Sequence, residues 1–135
     1  MLSDAFHVAV KSRDGEALAA CLAEDVRFRS PVVFRPYEGR AVVTAILAEG
    51  AMRVFEDFEY TDRFESGDSA ALVFRARVGE REVEGLDLLR FDGRGLVREM
   101  TVMVRPMSGL AALSEAMAKR FDEIGLTAPA GAADV

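Results

Sequence analysis

Residues 70–105 read AALVFRARVGEREVEGLDLLRFDGRGLVREMTVMVR, three runs rich in β-branched and apolar residues that are separated by two short links. Such runs favour strands. The first link, Gly79-Glu80, has glycine in the first position, as one type of two-residue hairpin turn requires. The second link is Asp92-Gly93-Arg94-Gly95. A further run, VFEDFEYTDRF at 54–64, alternates loosely and is followed by the turn residues ESGDS. Together these segments predict an antiparallel meander of about four strands.

The residues before the meander predict three helices and one strand. Apolar residues recur at helical spacing in three segments, which are 2–12, 15–24 and about 40–52. Asp14 is positioned to cap the second of these helices. From Val26 the apolar period becomes two, which predicts a half-buried strand that ends at Pro31. Segment 31–39 holds two prolines and a glycine and is expected to be a loop.

A last helix is predicted from about Ser108 to Ile124, where Gly125 ends it. Segment 125–135 is small and nearly uncharged, and we expect a disordered tail there. Helices first and antiparallel strands after them indicate the α+β class, with three N-terminal helices against one face of a curved antiparallel sheet. The expected organisation is therefore a single domain over 1–124.

The outer face of the last strand is unusually apolar. Met100, Val102 and Val104 point one way, but Thr101 and Met103 on the other face are hardly polar. A sheet face turned to water is normally more charged. Either the C-terminal helix covers this face or two copies of the chain pack on it, sheet to sheet, and we expect the homodimer.

Composition excludes several classes of function. The 135 residues carry 17 basic and 23 acidic side chains, a net charge of −6, with the basic residues scattered singly. A nucleic-acid surface needs a basic stripe, so no nucleic-acid partner is expected. One cysteine and one histidine allow neither an intrachain disulfide nor a Cys/His metal site, and no cofactor is expected. The N-terminus does not read as a signal peptide and no apolar run is long enough to span a bilayer, so we expect a cytoplasmic protein with no membrane partner.

Two phrases carry a resemblance to a known family. They are LAEDVRFRSPVVFRPYEGR at 22–40, with Glu24-Asp25 before the first strand, and GLDLLRFDGRGLVREMTVMVRP at 85–106. Together with the order of elements they resemble the nuclear transport factor 2-like superfamily, and within it the SnoaL-like group, over roughly residues 3–105. The resemblance implies a conical, cystatin-like α+β fold with a deep, mostly apolar pocket and often a sheet-mediated dimer. The fold hosts isomerases, hydrolases, dehydratases, cyclases and non-enzymatic binding modules.

Ketosteroid isomerases are the nearest enzymes in pattern, and the resemblance implies three chemical positions. The proton-transfer base before the proline corresponds to Ser30, which has no carboxylate. The tyrosine donor on the first helix corresponds to Phe6, which has no proton to give. The neutral aspartic acid of the strand corresponds to Asp87. The epoxide-hydrolase branch is disfavoured, because its last-strand Asp falls near Val102.

Asp87 is a lone carboxyl group on an apolar strand face that it shares with Val83, Leu89 and Phe91. An unpaired buried charge is costly, so the group must find a partner or stay protonated. One reading is an acid with a raised pKa that donates a hydrogen bond to a ligand oxygen, as the resemblance to ketosteroid isomerases implies. The other reading is a structural pairing with a backbone N–H or with an arginine, the candidates being Arg75, Arg77 and Arg105.

Other candidates carry weaker signals. His7 points to the flank of the first helix and reads as a solvated or capping residue. Tyr37 either hangs over a pocket mouth or packs on Pro36, and Cys21 reads as a small buried hydrophobe. The acidic run Glu56, Asp57, Glu59 and Asp62 is interleaved with Phe and Tyr and reads as a solvated strand face.

The expected pocket has Asp87 as its polar group and candidate catalytic residue. Its ligand-binding lining is expected to be Phe6, Phe28, Ser30, Tyr37, Leu89, Met100, Val102 and Val104, with no metal. Such a lining suits a small apolar or amphipathic molecule that carries one or two oxygens. With one ionisable group, ligand binding is favoured; the alternative is an isomerase, cyclase or hydrolase that acts on a polyketide- or steroid-like substrate through Asp87. A dimeric scaffold with a collapsed core would lack a cavity of roughly 300 Å³.

Overall fold

The structure, a computed structural model, describes residues 1–126. The helices are α1 (Asp4–Lys11), α2 (Gly15–Cys21), α3 (Arg40–Ala45), a π-helical segment (Ile46–Ala51), α4 (Met52–Val54) and α5 (Met107–Ile124). The strands are β1 (Leu22–Arg29), β2 (Tyr37–Glu38), β3 (Glu56–Ser66), β4 (Ser69–Val78), β5 (Arg81–Phe91) and β6 (Val97–Arg105). The predicted α+β class is confirmed. Of the expected tail at 125–135, residues 127–135 lie outside the described part of the chain.

The six strands form one open sheet in the order β2-β1-β6-β5-β4-β3. The predicted meander is its β3-to-β6 part, and every pair within it is antiparallel. The expectation of a purely antiparallel sheet was wrong, because β1 lies parallel to β6. Gly79 begins the β4–β5 turn at φ 60°, the left-handed backbone that the hairpin prediction required of a glycine there.

The boundary between α2 and β1 differs from the prediction. The helix ends at Cys21 rather than Glu24, and the strand begins at Leu22 rather than Val26. Glu24-Asp25 therefore lies inside the strand and not before it. The cause is tertiary, because Leu22 is fully buried and pairs with Val97 on β6, an interaction that helical periodicity does not reveal. Similarly, the short strand β2 forms within the predicted loop by pairing with β1.

The helix ends follow local chemistry. The side chain of Asp14 accepts a hydrogen bond from the backbone N–H of Ala17 at 3.1 Å, as its predicted capping role requires. Gly125 ends α5 in a left-handed conformation at φ 71°. Cys21, expected to be buried, is only half-buried at the end of α2, and its thiol donates to the carbonyl of Ala17 at 3.2 Å.

The helices pack on one face of the sheet and form the core there. Phe6 of α1, Ile46 of the π-helical segment and Leu113 of α5 are buried against strand residues such as Leu72 and Phe74. Helix α5 therefore does not cover the outer face that carries Met103, which remains 52% exposed. None of the helices in residues 1–126 has the length and apolar composition needed to span a membrane.

Gly85 admits an aromatic ring to the core. It lies opposite Phe74 in the β4–β5 register. A Cβ atom placed on Gly85 would come within 2.1 Å of the Phe74 ring. The absence of a side chain therefore lets the ring lie over β5, where it forms part of the cavity wall described below.

Candidate functional site

A cavity of about 260 Å³ lies between the sheet and the helices. Its walls are mostly apolar side chains from β1, β3, β4, β5 and β6 on one side and from α1, the π-helical segment and α5 on the other. The volume falls just under the roughly 300 Å³ at which ligand pockets usually start. The cavity is nevertheless larger than the roughly 150 Å³ that accommodates benzene in an engineered protein core.

Asp87 is the carboxyl group of this cavity. It lies in the middle of β5, paired with Leu72 on one side and Val102 on the other, and is 5% exposed. The hydroxyl of Tyr60 on β3 donates a hydrogen bond to its Oδ2 at 2.6 Å. Burial raises the pKa of Asp87 to about 7, although the hydrogen bond from Tyr60 opposes that rise. Both the acid and the carboxylate are therefore populated near neutral pH.

The second oxygen of Asp87 is available to a ligand. Oδ1 accepts no hydrogen bond from the described residues. Oδ1 is also not fully enclosed by protein. Within residues 1–126, the side-chain polar atom that is both fully enclosed and without a partner is Oγ1 of Thr44. Since Asp87 lines the cavity, we infer that Oδ1 faces its open space.

The arginines considered as structural partners of Asp87 bind other carboxylates. Arg75 and Arg105 contact Glu84 at 3.7 and 3.2 Å, and Arg77 contacts Asp57 at 2.7 Å. The ion-pair alternative is therefore wrong. Side chains alternate along a strand, so these arginines point to the face opposite Asp87.

Tyr60 is the residue that sequence reasoning missed. Its hydroxyl remains protonated because burial, and then the adjacent Asp87, raise its pKa well above the ordinary value. The sequence does indicate its position. Phe58 and Tyr60 lie two residues apart and therefore share one face of β3, within the acidic segment that was predicted to be a solvated strand face. The acidic residues of that run are exposed as expected, but both aromatic side chains line the cavity.

His7 does not act as a free solvated residue. Its ring packs on Tyr60 with 5.1 Å between ring centroids, and the side chain is half-buried. Burial is the main cause that lowers the pKa of His7, and the positive charges of Arg63 and Lys11 add to the effect. The imidazole therefore contributes to the wall behind Tyr60.

Most of the predicted lining is brought together, with two exceptions. The members that line the cavity with Asp87 are Phe6, Phe28, Ser30, Tyr37, Met100 and Val102. Leu89 is fully buried in the core, Val104 is half-buried, and neither lines the cavity, so these two placements were wrong. Alternation assigns a residue to a face of the strand, but the helices decide which part of that face they cover and which part they leave open.

Tyr37 and Ser30 add polar atoms to the wall. Tyr37 is 5% exposed and lies between the rings of Phe28 and Phe121, at centroid distances of 6.2 and 6.1 Å. Its hydroxyl has no hydrogen-bond partner among the described residues, and burial raises its pKa. The Ser30 hydroxyl accepts a hydrogen bond from the N–H of Val32 at 2.9 Å, which stabilises the turn after β1.

Helix α5 supplies a wall that no sequence motif indicated. Its inward residues Leu113, Ser114, Met117, Ala118 and Phe121 all line the cavity. In residues 1–126, no three histidine, cysteine, aspartate or glutamate side chains lie close enough together to hold a metal ion. What the site offers is a polar pair, Asp87 and Tyr60, set in an apolar wall.

The SnoaL-like domain family matches residues 3–105, and the chain belongs to that family within the nuclear transport factor 2-like superfamily. The chain is 45% identical to a steroid delta-isomerase from Pseudomonas aeruginosa, covering 88% of each chain with a TM-score of 0.84. It is 33% identical to an uncharacterised protein with a cystatin-like fold from Silicibacter pomeroyi, covering 90% of this chain and 85% of that one with a TM-score of 0.85. Among curated proteins, none matches this chain.

Proposed function

We propose that this protein binds a small, mostly apolar molecule in the cavity and that Asp87 orients an oxygen atom of that molecule. The observation that carries the proposal is the buried Asp87 carboxyl group, whose Oδ2 accepts a hydrogen bond from Tyr60 at 2.6 Å and whose Oδ1 has no partner within residues 1–126. When protonated, such a group donates a hydrogen bond to a carbonyl or hydroxyl oxygen. When ionised, it accepts one from a phenol.

The cavity limits the ligand to about two fused rings. Its volume of about 260 Å³ exceeds what one benzene ring needs but is small for a drug-sized molecule. A longer ligand would have to extend through the mouth. The hydroxyl of Tyr37, which has no hydrogen-bond partner in residues 1–126, would offer a second contact to a ligand oxygen.

An isomerase, cyclase or hydrolase acting through Asp87 is the second candidate. It is favoured by the identity to a steroid delta-isomerase and by Tyr60, a second ionisable group beside Asp87. Asp87 would act as the acid that stabilises negative charge developing on a substrate oxygen. Ser30 and Phe6, at the other two positions named above, supply no carboxylate and no phenol, so binding remains the main proposal.

Titration with 2-naphthol, a fluorescent phenol of two rings, tests binding. We expect saturable binding. We expect Asp87→Asn to weaken it by about tenfold, because the amide N–H group left facing the cavity cannot accept the phenol O–H as a carboxylate oxygen does. Asp62→Asn, which changes an exposed carboxylate of the same sheet outside the cavity, is the matched control and should bind normally. An absence of binding by the folded wild-type protein would favour a scaffold instead.

Catalysis is tested with 3-cyclohexenone, whose conversion to the conjugated 2-enone is followed by ultraviolet absorbance. An acceleration that Asp87→Asn abolishes and Asp62→Asn preserves would support the isomerase candidate. If the enone reacts no faster than in buffer while 2-naphthol still binds, the isomerase candidate is refuted and the binding function is retained.

We also propose that the protein is a homodimer that pairs through the outer face of the sheet. Val73, Leu86 and Met103 form one row across β4, β5 and β6 on the face away from the cavity. Met103 is 52% exposed, and α5 packs on the opposite face. An apolar row that the chain leaves uncovered is typical of an association surface.

A further inference from the structure

Two basic residues lie at the mouth of the cavity. Lys11 is the last residue of α1 and Arg13 follows in the turn to α2; both side chains are exposed and both line the cavity. Among the described residues, neither forms a salt bridge with a carboxylate. The nearest acidic residue in sequence, Asp14, uses its carboxylate to cap α2 at Ala17. One side of the rim therefore carries two positive side chains without a direct carboxylate partner among the described residues.

Arg13 adopts a backbone conformation that is unusual for a residue with a side chain. Arg13 has φ 53°, the left-handed conformation that helix ends normally assign to glycine or asparagine. A residue with a Cβ atom is disfavoured in this conformation. Lys11 by itself is explained by its favourable position at the C-terminal end of a helix dipole. Arg13 lies two residues beyond the end of the same helix, and its long side chain adds a second cation at the same rim.

The positions of the charges define the two ends of a ligand. Asp87 lies on the inner wall and is 5% exposed, so an anionic group placed there would meet a buried acid that itself ionises near neutral pH. An anionic group at the mouth would stay hydrated and lie near Lys11 and Arg13. The whole chain carries a net charge of −6. Two cations at the mouth that form no salt bridge with the described residues are a local exception to this charge, and they favour an anion.

We propose that the ligand is an amphipathic anion, an apolar body with a neutral oxygen at the Asp87 end and a carboxylate at the mouth between Lys11 and Arg13. This inference rests on the proposed function, because it requires the apolar body to occupy the cavity. It adds the class of ligand, a small hydrophobic acid, which neither the fold nor Asp87 specifies.

The test compares 2-naphthol with 6-hydroxy-2-naphthoic acid at about pH 6, where the hydroxyl is neutral and the carboxylate is ionised. Both probes carry the same rings and hydroxyl, and the second adds a carboxylate at the far end. We expect the acid to bind about tenfold more tightly, since two exposed charge pairs contribute up to about fivefold each. Salt of about 0.5 M should remove most of that difference.

The double variant Lys11→Gln and Arg13→Gln should lose the preference for the acid and keep its affinity for 2-naphthol. A control double variant, Lys119→Gln and Arg94→Gln, removes the same charges from exposed positions outside the cavity and should keep the preference. Thermal unfolding monitored by circular dichroism verifies that each variant is folded.

The outcomes separate the inference from the function on which it rests. If 2-naphthol binds but the acid binds no better, or if the control loses the preference as fully as the mouth variant, the anion site is refuted and the binding function stands. If neither probe binds the wild-type protein, both proposals are overturned.

Discussion

Replacing Asp87 by asparagine should make the protein more stable at neutral pH than it is with its native residue. The amide has nearly the shape of the carboxyl group and its oxygen still accepts the hydrogen bond from Tyr60. It cannot ionise, however. The variant therefore removes one property, the titration of a buried acid, and leaves the packing of the cavity wall in place.

The size of the effect follows from the shift in the pKa of Asp87. Its pKa is about 7 in the folded protein against 3.8 for an unperturbed aspartate. Between about pH 4 and pH 7 the folded state holds this proton and the unfolded state has lost it, so stability falls as the pH rises. At about 1.4 kcal/mol per pKa unit, the loss amounts to about 4 kcal/mol and is complete above pH 7. The Asp87→Asn variant should not lose this stability, because asparagine does not ionise.

Urea unfolding followed by far-ultraviolet circular dichroism, at intervals from about pH 4 to pH 8, measures the difference between the two proteins; the chain has no tryptophan to report by fluorescence. Other titrating groups, such as Glu65 and Asp92 with their lowered pKa values, are shared and cancel. The difference should grow in favour of the variant by about 4 kcal/mol across this range. A difference that stays constant with pH would show that Asp87 titrates normally and would refute the reasoning.

Three other changes have defined outcomes. Tyr60→Phe removes the hydrogen bond that favours the carboxylate, so the pKa of Asp87 should rise above about 7, which carbon-13 NMR of the carboxyl group measures; an unchanged or lower value would contradict the pairing. Gly85→Ala should destabilise the fold by about 2 kcal/mol, because its Cβ collides with the Phe74 ring, and an unchanged Tm would show that the ring moves freely. Met103→Glu should give monomers in light scattering, and a dimer that persists would rule out the outer face as the interface.

Local chemistry made most of the fold predictable. The hairpin at Gly79, the cap at Asp14 and the end of α5 at Gly125 each depend on residues within a few positions along the chain. The errors fall where distant segments pair. Leu22 was predicted to be helical but lies in β1, because it pairs with β6 in a buried position. Tyr37 was predicted to lie in a loop but forms β2, because it pairs with β1.

The candidate site divides in the same way. Asp87 was predicted because a carboxyl group on an apolar strand face is visible in the alternation of one segment. Its hydrogen-bond partner was not predicted, since Tyr60 lies 27 residues away on β3 and reaches Asp87 across the intervening strand β4. The three arginines considered instead lie on the opposite face of the sheet, where they pair with other carboxylates.

By itself the sequence determined the α+β class, the order of the elements and the presence of one carboxyl group on an apolar strand face, because propensity, period and turn chemistry act over a few residues. Only the tertiary structure decided that Tyr60 is the partner of Asp87, that α5 closes the cavity and that Lys11 and Arg13 lie at its mouth. These facts depend on which strands become neighbours and on where the helices cover the sheet. Both are settled by burial of apolar surface from all parts of the chain at once.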